Sequence, residues 1–253
     1  MTSIDINCDM GEFPEAVADG TQESLMPHLT SVNIACGGHA GDPGTMRATI
    51  VQAVSYKLAL GAHPGYPDPG NFGRVELDIP LGKVSDHVAR QVGALASIAS
   101  ESGARLTHVK PHGALYNQAV KNGGLARAIA LGVDRVDRRL ILVGLAGSPM
   151  LEVFRNAGFA VAAEAFADRT YQPDGSLRPR RFSDALIRDP QRAAAQALRI
   201  AEFGLVTAFD GVEVAIDADT ICIHGDTPGA PGIAAAVARE LINHGVKLAP
   251  IRR

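Results

Sequence analysis

The chain has 253 residues, of which 46% are hydrophobic and 20% are charged. This length suits one large α/β domain or two small ones, with a sizeable core. A formal net charge of -3 and a pI near 6.2 give no sign of a nucleic-acid or acidic-membrane partner. No apolar run is long enough to span a bilayer, and the first residues do not read as a signal peptide. Three widely spaced cysteines fit a reducing compartment, so a cytoplasmic protein is predicted.

Short strand-like runs alternate along the chain with longer helix-like runs. Strands are predicted over residues 3–8, 31–36, 58–63, 105–110, 140–144, 160–164, 220–224 and 246–249. Helices are predicted over residues 45–56, 84–102, 125–134, 149–157, 190–203 and 232–244. This repeated alternation implies parallel strands joined by right-handed crossovers. No low-complexity linker or fixed-period repeat interrupts the pattern, which predicts a single domain over residues 1–253.

The strands favour a barrel over an open sheet. Ile4 and Ile6 alternate with Asp5 and Asn7 in the first strand, and similar contrasts recur in later strands. Only residues 140–144 form the continuous apolar run that an open doubly wound sheet requires. One apolar face and one small or polar face are typical of a barrel with a polar, ligand-holding lumen. Seven or eight such units in this length predict an α/β fold of the (β/α) barrel type.

The segment from Leu106 to Asn117 contains two histidines, a lysine, a tyrosine and an asparagine within a few residues. Strand alternation places His108 and Lys110 on the same face, before a turn near Gly113. Burying an imidazole beside an ammonium is costly unless both have partners. A face of this kind is therefore predicted to line a functional site.

Other strand ends carry similar polar residues beside glycines, and in a parallel barrel these ends meet at one mouth. Histidines at positions 39, 63, 108, 112 and 224 are hard to explain there as independent structural residues. The predicted catalytic residues are Asp9, Glu12, His39, Lys110 and His112. The predicted substrate-binding residues are His63, Asp168, Arg169, His224 and Asp226. We expect Asp168 and Arg169 to clamp a substrate carboxylate.

Two chemistries remain open for these residues. In a metal-free reaction, Asp9 or Glu12 is the general base, while His39, Lys110 and His112 stabilise developing negative charge. In a divalent metal site, the ligands are oxygen and nitrogen atoms suited to zinc or manganese. The ligands of that second alternative are Asp9, His39, His63 and His224. No HxH or HExxH pair is present, so the sequence does not require a metal.

Seven ordered blocks of sequence run nearly from end to end of the chain. They are NCDMGE at residues 7–12, NIACGGHAGD at 33–42, GAHPGYPD at 61–68, FGR at 72–74, HVKPHGALYN at 108–117, FADR at 166–169 and DTICIHGDTP at 219–228. Together they resemble the LamB/YcsF family. The family pattern has an aromatic residue where this chain has Gly38, and this departure predicts a wider pocket.

The resemblance implies a (β/α)7-type barrel similar to the glycoside hydrolase/deacetylase superfamily. It also implies the role of the A subunit of an ATP-dependent 5-oxoprolinase, which opens the lactam of 5-oxoproline to L-glutamate with partner subunits B and C. ATP is then a co-substrate, yet the sequence has no phosphate-binding loop. Either the partners supply the phosphate cradle or the glycines at 37, 38 and 41 do. The alternatives are an autonomous metal-dependent amidohydrolase or deacetylase and a non-catalytic lactam-binding subunit.

Overall fold

The computed structural model describes residues 3–252 of the chain. Within this range the strands are β1 Ser3–Met10, β2 Ser31–Ala35, β3 Ala59–His63, β4 Leu106–Val109, β5 Ile141–Leu145, β6 Val161–Phe166, β7 Leu205–Thr207, β8 Glu213–Ala215, β9 Thr220–Ile223 and β10 Lys247–Leu248. The α-helices are α1 Pro14–Ala18, α2 Pro43–Ser55, α3 Leu81–Glu101, α4 Gly113–Lys121, α5 Gly123–Asp134, α6 Pro149–Asn156, α7 Pro190–Phe203 and α8 Ala230–Asn243. Two 3-10 helices cover Glu23–His28 and Pro69–Asn71.

Seven of these strands form a closed parallel barrel. Their order is β1-β2-β3-β4-β5-β6-β9, and pairing between β9 and β1 closes the barrel. Every neighbouring pair is parallel. The short strand β10 adds a parallel pairing to the start of β1, at Ser3 and Ile4. The predicted (β/α)7 barrel is confirmed.

The two faces of β1 differ as the sequence predicted. Ile4, Ile6 and Cys8 are buried in the hydrophobic core that the strands share with the surrounding helices. Asp5 and Asn7 are also buried, but they form hydrogen bonds to side chains of other barrel strands. The lumen is therefore polar, and the apolar core lies between the barrel and the helices.

A small apolar cluster, separate from the main core, lies near the amino ends of β5 and β6. Ile141, Val143 and Ala162 pack together there, and Ile251 from the last residues of the chain packs against them. The polar part of the lumen opens toward the carboxyl ends of the strands. No helix in residues 3–252 is long and apolar enough to cross a membrane.

The eight predicted strands are all present, with boundaries within two residues of the predictions. The sequence did not predict helix α4, which begins at Gly113 where only a turn was expected. It also did not predict the antiparallel hairpin of β7 and β8, in which Leu205 pairs with Ala215. The hairpin lies outside the barrel, so the departure leaves the arrangement of barrel strands unchanged.

Helix α2 is held at its start by a reciprocal cap. The Asp42 side chain accepts hydrogen bonds from the backbone of Gly44 and Thr45, and Thr45 Oγ1 accepts one from the Asp42 backbone. Such caps satisfy backbone groups that would otherwise lack partners at a helix start. This cap fixes the end of the loop that carries His39 from β2 to α2.

Candidate active site

A cavity of about 610 Å³ opens at the carboxyl ends of the barrel strands. Most of the sequence-predicted site residues line it, namely Asp9, Glu12, His63, Lys110, His112, Arg169, His224 and Asp226. The remaining two, His39 and Asp168, are buried and contact the lining residues Glu12 and His224. The structure therefore brings all ten residues to one mouth of the barrel.

Lys110 follows β4 and is only 3% exposed. Its Nζ lies 2.9 Å from Asp9 Oδ1, 2.9 Å from Glu164 Oε1 and 3.0 Å from Cys222 Sγ. Burial lowers the pKa of Lys110, but Asp9 and the other neighbouring groups outweigh this effect and raise it well above its usual value. Burial raises the pKa of Asp9, while His63 and Lys110 hold it well below its usual value. Lys110 is thus an ammonium that faces carboxylates.

A chain of hydrogen bonds continues from Lys110 down the lumen. Asn7 Nδ2 donates to Glu164 Oε1 at 3.1 Å and to Thr220 Oγ1 at 2.7 Å. Asn33 Nδ2 donates to Asn7 Oδ1 at 2.7 Å, and His108 Nε2 lies 2.9 Å from Asn33 Oδ1. Burial lowers the pKa of His108 to about 3, so its imidazole is neutral. These residues hold the floor of the site in place.

Two backbone carbonyls determine how His63 and His112 present their ring nitrogens. His63 Nδ1 lies 2.7 Å from the carbonyl oxygen of Lys110, and His112 Nε2 lies 2.9 Å from that of Phe72. Carbonyl oxygens only accept hydrogen bonds, so both of these nitrogens carry protons. The other two nitrogens, His63 Nε2 and His112 Nδ1, lie 2.9 Å apart. Two neutral rings would place two lone pairs face to face, so a shared proton or a cation is required between them.

Glu12 adds a carboxylate oxygen at this point. Its Oε1 lies 3.2 Å from His112 Nδ1 and 2.9 Å from His39 Nε2. Burial raises the pKa of Glu12, but hydrogen bonds to His112 and His39 outweigh it and hold the pKa below its usual value. Burial lowers the pKa of His39 to about 4, and its ring stacks on that of His112 with centroids 3.5 Å apart. The carboxylate is therefore ionised beside the neutral imidazole of His39.

One potential ligand atom from each of four residues converges here, within 4.8 Å of one another: Glu12, His39, His63 and His112. Imidazole nitrogens and one carboxylate suit zinc or manganese, and the N–H bonds of His63 and His112 to carbonyls are those of metal-binding histidines. This donor set fits a divalent cation. It shares His39 and His63 with the ligands proposed from the sequence, whereas Asp9 and His224 lie in a separate group with Cys222.

Asp168 and His224 form a pair on another wall of the cavity. Asp168 Oδ1 lies 2.8 Å from His224 Nδ1. Asp168 Oδ2 accepts hydrogen bonds from the His224 backbone N–H at 3.1 Å and from Thr227 Oγ1 at 2.9 Å. Burial raises the pKa of Asp168, but the charge and hydrogen bonds of His224 hold it below its usual value. Both carboxylate oxygens already have partners within the protein, so Asp168 orients His224 from behind.

Residues 4–253 match the model of the LamB/YcsF family. The chain belongs to this family. It is 49% identical over 251 residues to the A subunit of 5-oxoprolinase from Chloroflexus aggregans, with 99% of this chain and 98% of that protein covered. It is 48% identical over 246 residues to the protein of the same name from Shouchella clausii, with 97% of each covered.

The crystal structure of the lactam utilization protein from Thermus thermophilus shares the LamB/YcsF fold. Its TM-score is 0.92 at 43% identity, and the match covers 98% of this chain and 100% of that one. A "T48 deacetylase with substrate" has a TM-score of 0.50 at 14% identity, with 98% of this chain and 87% of that one covered, and this likeness shows the fold alone. The relatives from Chloroflexus aggregans and Shouchella clausii are both named as one subunit of a multi-subunit enzyme.

Sequence reasoning about this LamB/YcsF protein did not select three lumen residues as site residues: Asn7, Asn33 and Glu164. Glu164 is 0% exposed and contacts Lys110 directly. The available signal was its position in the strand, because a carboxylate flanked by two alanines in a buried strand requires a partner. Asn7 and Asn33 gave a weaker signal, since asparagines at strand positions also occur at solvent-facing edges.

Arg169 is a buried cation in the cavity wall. It is 7% exposed, and its Nε and Nη2 donate to the backbone carbonyls of Ala185 and Arg178 at 3.3 Å and 2.8 Å. Burial, followed by the charge of Arg180, lowers its pKa to about 10, so it remains cationic at neutral pH. Within residues 3–252 it forms no ion pair with a carboxylate. An anionic ligand group would supply that partner.

Asp226 lies at the outer rim of the cavity. Its Oδ2 is 2.5 Å from Arg74 Nη2 and 3.4 Å from Arg180 Nη1. Both arginine side chains are partly exposed. The carboxylate therefore joins two segments of the rim, the one after β3 and the one after β6.

The glycine at position 38 does not widen the cavity, so that prediction is wrong. A Cβ atom at Gly38 would overlap the side-chain oxygen of Gln91 and lie 2.7 Å from the carbonyl of Gly65. Gln91 is buried and forms hydrogen bonds to both the N–H and the carbonyl of Gly65. Gly38 therefore faces α3, and none of the glycines at 37, 38 and 41 lines the cavity.

Proposed function

We propose that this chain is the A subunit of an ATP-hydrolysing 5-oxoprolinase and that its cavity takes part in opening the lactam of 5-oxoproline to L-glutamate. The likeness to proteins of that name extends over nearly the whole chain. The observation that carries the proposal is the buried contact of Lys110 with Asp9 and Glu164, directly beside Glu12 and His112 in one cavity. General base, general acid and charge-stabilising groups are thus within reach of one small ligand.

The reaction requires strong activation, because a five-membered lactam is a planar, unstrained amide. Lys110 supplies a fixed positive charge at the cavity floor, where it stabilises negative charge on the lactam oxygen. Asp9 and Glu12 are ionised and accept hydrogen bonds from the attacking water, which orients it toward the ring carbon. Arg169 is the cation that we assign to the substrate carboxylate. The cavity has room for all of these contacts at once.

ATP is the proposed co-substrate, and subunits B and C are the proposed partners, in the cytoplasm. Phosphorylation of the lactam oxygen would make the ring carbon electrophilic enough for water to attack. The sequence of this chain has no phosphate-binding loop, and the cavity walls carry none of the glycines considered for that role. We therefore assign the phosphate cradle to the partner subunits.

The test is glutamate release from 5-oxoproline by this chain alone and with subunits B and C, each with and without ATP. We expect release only from the complete mixture with ATP. Asp9→Asn should reduce that release by at least about 100-fold, because the charge that holds Lys110 and the attacking water in place is lost. Asp210→Asn, at an exposed position between β7 and β8, is the matched control and should keep most of the activity. Release by this chain alone without ATP would contradict the proposal, and an active Asp9→Asn complex would leave the chain a binding role only.

The four-residue donor set favours a second candidate, an autonomous metal-dependent amidohydrolase. Glu12, His39, His63 and His112 would hold the cation, which would supply Lewis-acid activation of a water or a carbonyl. The test is the zinc and manganese content of the purified protein by mass spectrometry. About one ion per chain is expected. The His112→Gln variant should lose it, and the variant of the exposed control, His244→Gln, should keep it. Equal metal content in both variants would exclude this site as the binding site.

A further inference from the structure

We propose that His224 is a catalytic proton-transfer group in lactam opening and that Asp168 is its positioning residue. This inference rests on the proposed function and adds a role for the cavity wall that carries His224, apart from the Glu12 cluster. The sequence predicted that both residues bind substrate. The geometry points instead to a dyad, in which one residue faces the cavity and the other is fully enclosed.

The contacts of Asp168 determine the protonation pattern of the His224 ring. Asp168 is 0% exposed, and its Oδ1 lies 2.8 Å from His224 Nδ1. An ionised carboxylate only accepts hydrogen bonds, so His224 Nδ1 carries a proton. In the neutral ring, Nε2 must then carry the lone pair. Thr227 Oγ1 and the His224 backbone N–H occupy the second oxygen of Asp168, which fixes the carboxylate in this orientation.

The ring of His224 is also held in place by its neighbours. It stacks on the Phe166 ring, with centroids 5.4 Å apart and an interplanar angle of 16°. Lys110 Nζ lies 5.5 Å from the centroid of the same Phe166 ring. A ring nitrogen of His224 is within 4.8 Å of a carboxylate oxygen of Asp9. His224 therefore faces the volume in which Lys110 and Asp9 would meet the lactam.

The other cavity histidines have their ring nitrogens occupied. His63 contacts the Lys110 carbonyl through Nδ1 and contacts Asp9 and His112 through Nε2. His112 contacts the Phe72 carbonyl through Nε2, while its Nδ1 faces His63 and the Glu12 cluster. Among the cavity-lining histidines of the described chain, only His224 has a ring nitrogen without a protein partner. That nitrogen is the acceptor available to a water molecule.

The proposed reaction uses His224 first as a base and then as an acid. Water attacks the ring carbon, whose oxygen carries the phosphoryl group from ATP; a C–O bond forms, and His224 Nε2 takes a proton from the attacking oxygen. The C–N bond of the lactam then breaks, its electron pair stays on nitrogen, and the His224 Nε2–H donates its proton to that nitrogen. The products are the amino group of glutamate and an acyl phosphate at the former ring carbon, and the imidazole returns to its starting form. A second water then hydrolyses the acyl phosphate to the carboxyl group and free phosphate. Asp168 stabilises the imidazolium between the two steps.

The experiment compares the wild-type chain with His224→Ala and Asp168→Asn in the complex with subunits B and C, ATP and 5-oxoproline. Glutamate release gives kcat and KM for each. Loss of a general acid–base group should lower kcat of His224→Ala by about 10²- to 10⁴-fold, with KM changed by less than about threefold. Added imidazole should restore part of that kcat. His244→Gln, at an exposed position directly after α8, is the control and should match the wild type.

Asp168→Asn tests the positioning role separately. An amide oxygen that keeps the His224 backbone and Thr227 as donors must turn its NH2 toward His224 Nδ1. The ring would then carry its proton on Nε2 and could no longer accept one from water. We expect kcat to fall by about 10²- to 10⁴-fold while the thermal midpoint stays within a few degrees of the wild type. Imidazole should not rescue this variant, because the side chain of His224 still fills its place.

Four outcomes would overturn the inference. They are a His224→Ala kcat within about threefold of the wild type, a change in KM alone, failure of imidazole to restore any activity, and an Asp168→Asn kcat equal to the wild type. If the wild-type complex releases no glutamate, the proposed function is wrong, and no variant is needed to show it. If the wild-type complex is active, the variants test only the roles of His224 and Asp168.

Discussion

Lys110 shows at the scale of one residue how this barrel keeps a charge inside its lumen. An ammonium that is 3% exposed would be strongly unfavourable alone. It is stabilised by two carboxylate oxygens, from Asp9 and Glu164, each 2.9 Å from Nζ. Each of the three residues comes from a different barrel strand or its end, so the charge contacts also fix the strands relative to one another.

We expect Lys110→Met to destabilise the protein. The substitution conserves most of the side-chain length but, within residues 3–252, leaves the buried Glu164 carboxylate without a cation and Asp9 with His63 as its one remaining charged partner. Breaking a buried ion pair in this way costs about 3–5 kcal/mol, and urea unfolding at pH 7 measures it. Lys83→Met, at an exposed position of α3, is the control and should change stability by less than about 0.5 kcal/mol. Equal unfolding midpoints for the two variants would contradict this account.

The sequence alone predicted one side of this contact better than the other. Strand alternation placed His108 and Lys110 on one face, and both side chains are buried in the lumen. Their partners were harder to find, because Glu164 lies about 50 residues away in the chain and carries no local motif. Which acid meets which lysine depends on barrel closure and strand stagger, and no pattern within one strand encodes these.

At the scale of a secondary-structure element, β3 shows how a glycine makes room for a side chain of the next strand. A Cβ atom at Gly61 would overlap the ring of His108, on the neighbouring strand β4. The register of β3 and β4 pairs these two residues directly, with a shift between Leu60 and Gly61. The imidazole can lie across β3 only because position 61 has no side chain.

Gly61→Ala should destabilise the protein by about 1–3 kcal/mol, the usual cost of overpacking a buried site. The double variant with His108→Ala removes the ring that the new methyl group meets. It should therefore be destabilised by less than the sum of the single variants, with a coupling of at least about 0.5 kcal/mol. Chemical denaturation of the wild type, the two single variants and the double variant gives the four unfolding free energies of this double-mutant cycle. Gly82→Ala, where a Cβ atom has no neighbour within 4 Å, is the control. Additive effects would mean that the ring and the methyl group do not meet.

Sequence reasoning missed helix α4 because packing against the core, and not local propensity, decides its structure. Helix α4 begins at Gly113, directly after Pro111 and His112, and these residues favour a turn over a helix. It forms because its buried face, with Leu115 and Tyr116, packs into the core. Tertiary packing of this kind overrides local propensity, whereas most barrel strands were predictable because their alternation reflects two faces that differ in polarity.

At the scale of the whole molecule, the polar lumen connects the stability of the barrel to its protonation state. Hydrogen bonds join side chains of β1, β2, β4, β6 and β9 in one network around Asn7 and Asn33. Asp5 is part of this network, and burial raises its pKa to about 6 despite hydrogen bonds from hydroxyl groups. Protons taken up or released in the lumen thus act on most of the barrel strands together.

His108 gives the clearest pH dependence of this network. Burial, followed by the charge of Lys110, lowers its pKa to about 3 in the folded protein, against 6.5 for an ordinary histidine. As pH falls below 6.5, the unfolded chain takes up a proton at this position and the folded protein does not. Unfolding is therefore favoured progressively between pH 6.5 and 3. Asp5 acts in the opposite sense, since its folded pKa of about 6 makes protonation favour the folded state as pH falls through 6.

The two effects can be separated by comparing the wild type with His108→Gln at about pH 7 and about pH 5. The difference in unfolding free energy between the two proteins should shift by about 2 kcal/mol in favour of the variant on going to the lower pH, at about 1.4 kcal/mol per pH unit below about 6.5. Asp5 is present in both proteins, so its contribution cancels. Urea unfolding at each pH supplies the four free energies, and glutamine keeps an N–H donor for Asn33. If the unfolding free energies of the wild type and His108→Gln changed equally with pH, His108 would be protonated in the folded barrel. In that case the Lys110 ammonium and the His108 imidazolium would lie side by side in the lumen, and the imidazolium would be stabilised by the hydrogen bond that His108 Nε2 donates to Asn33 Oδ1.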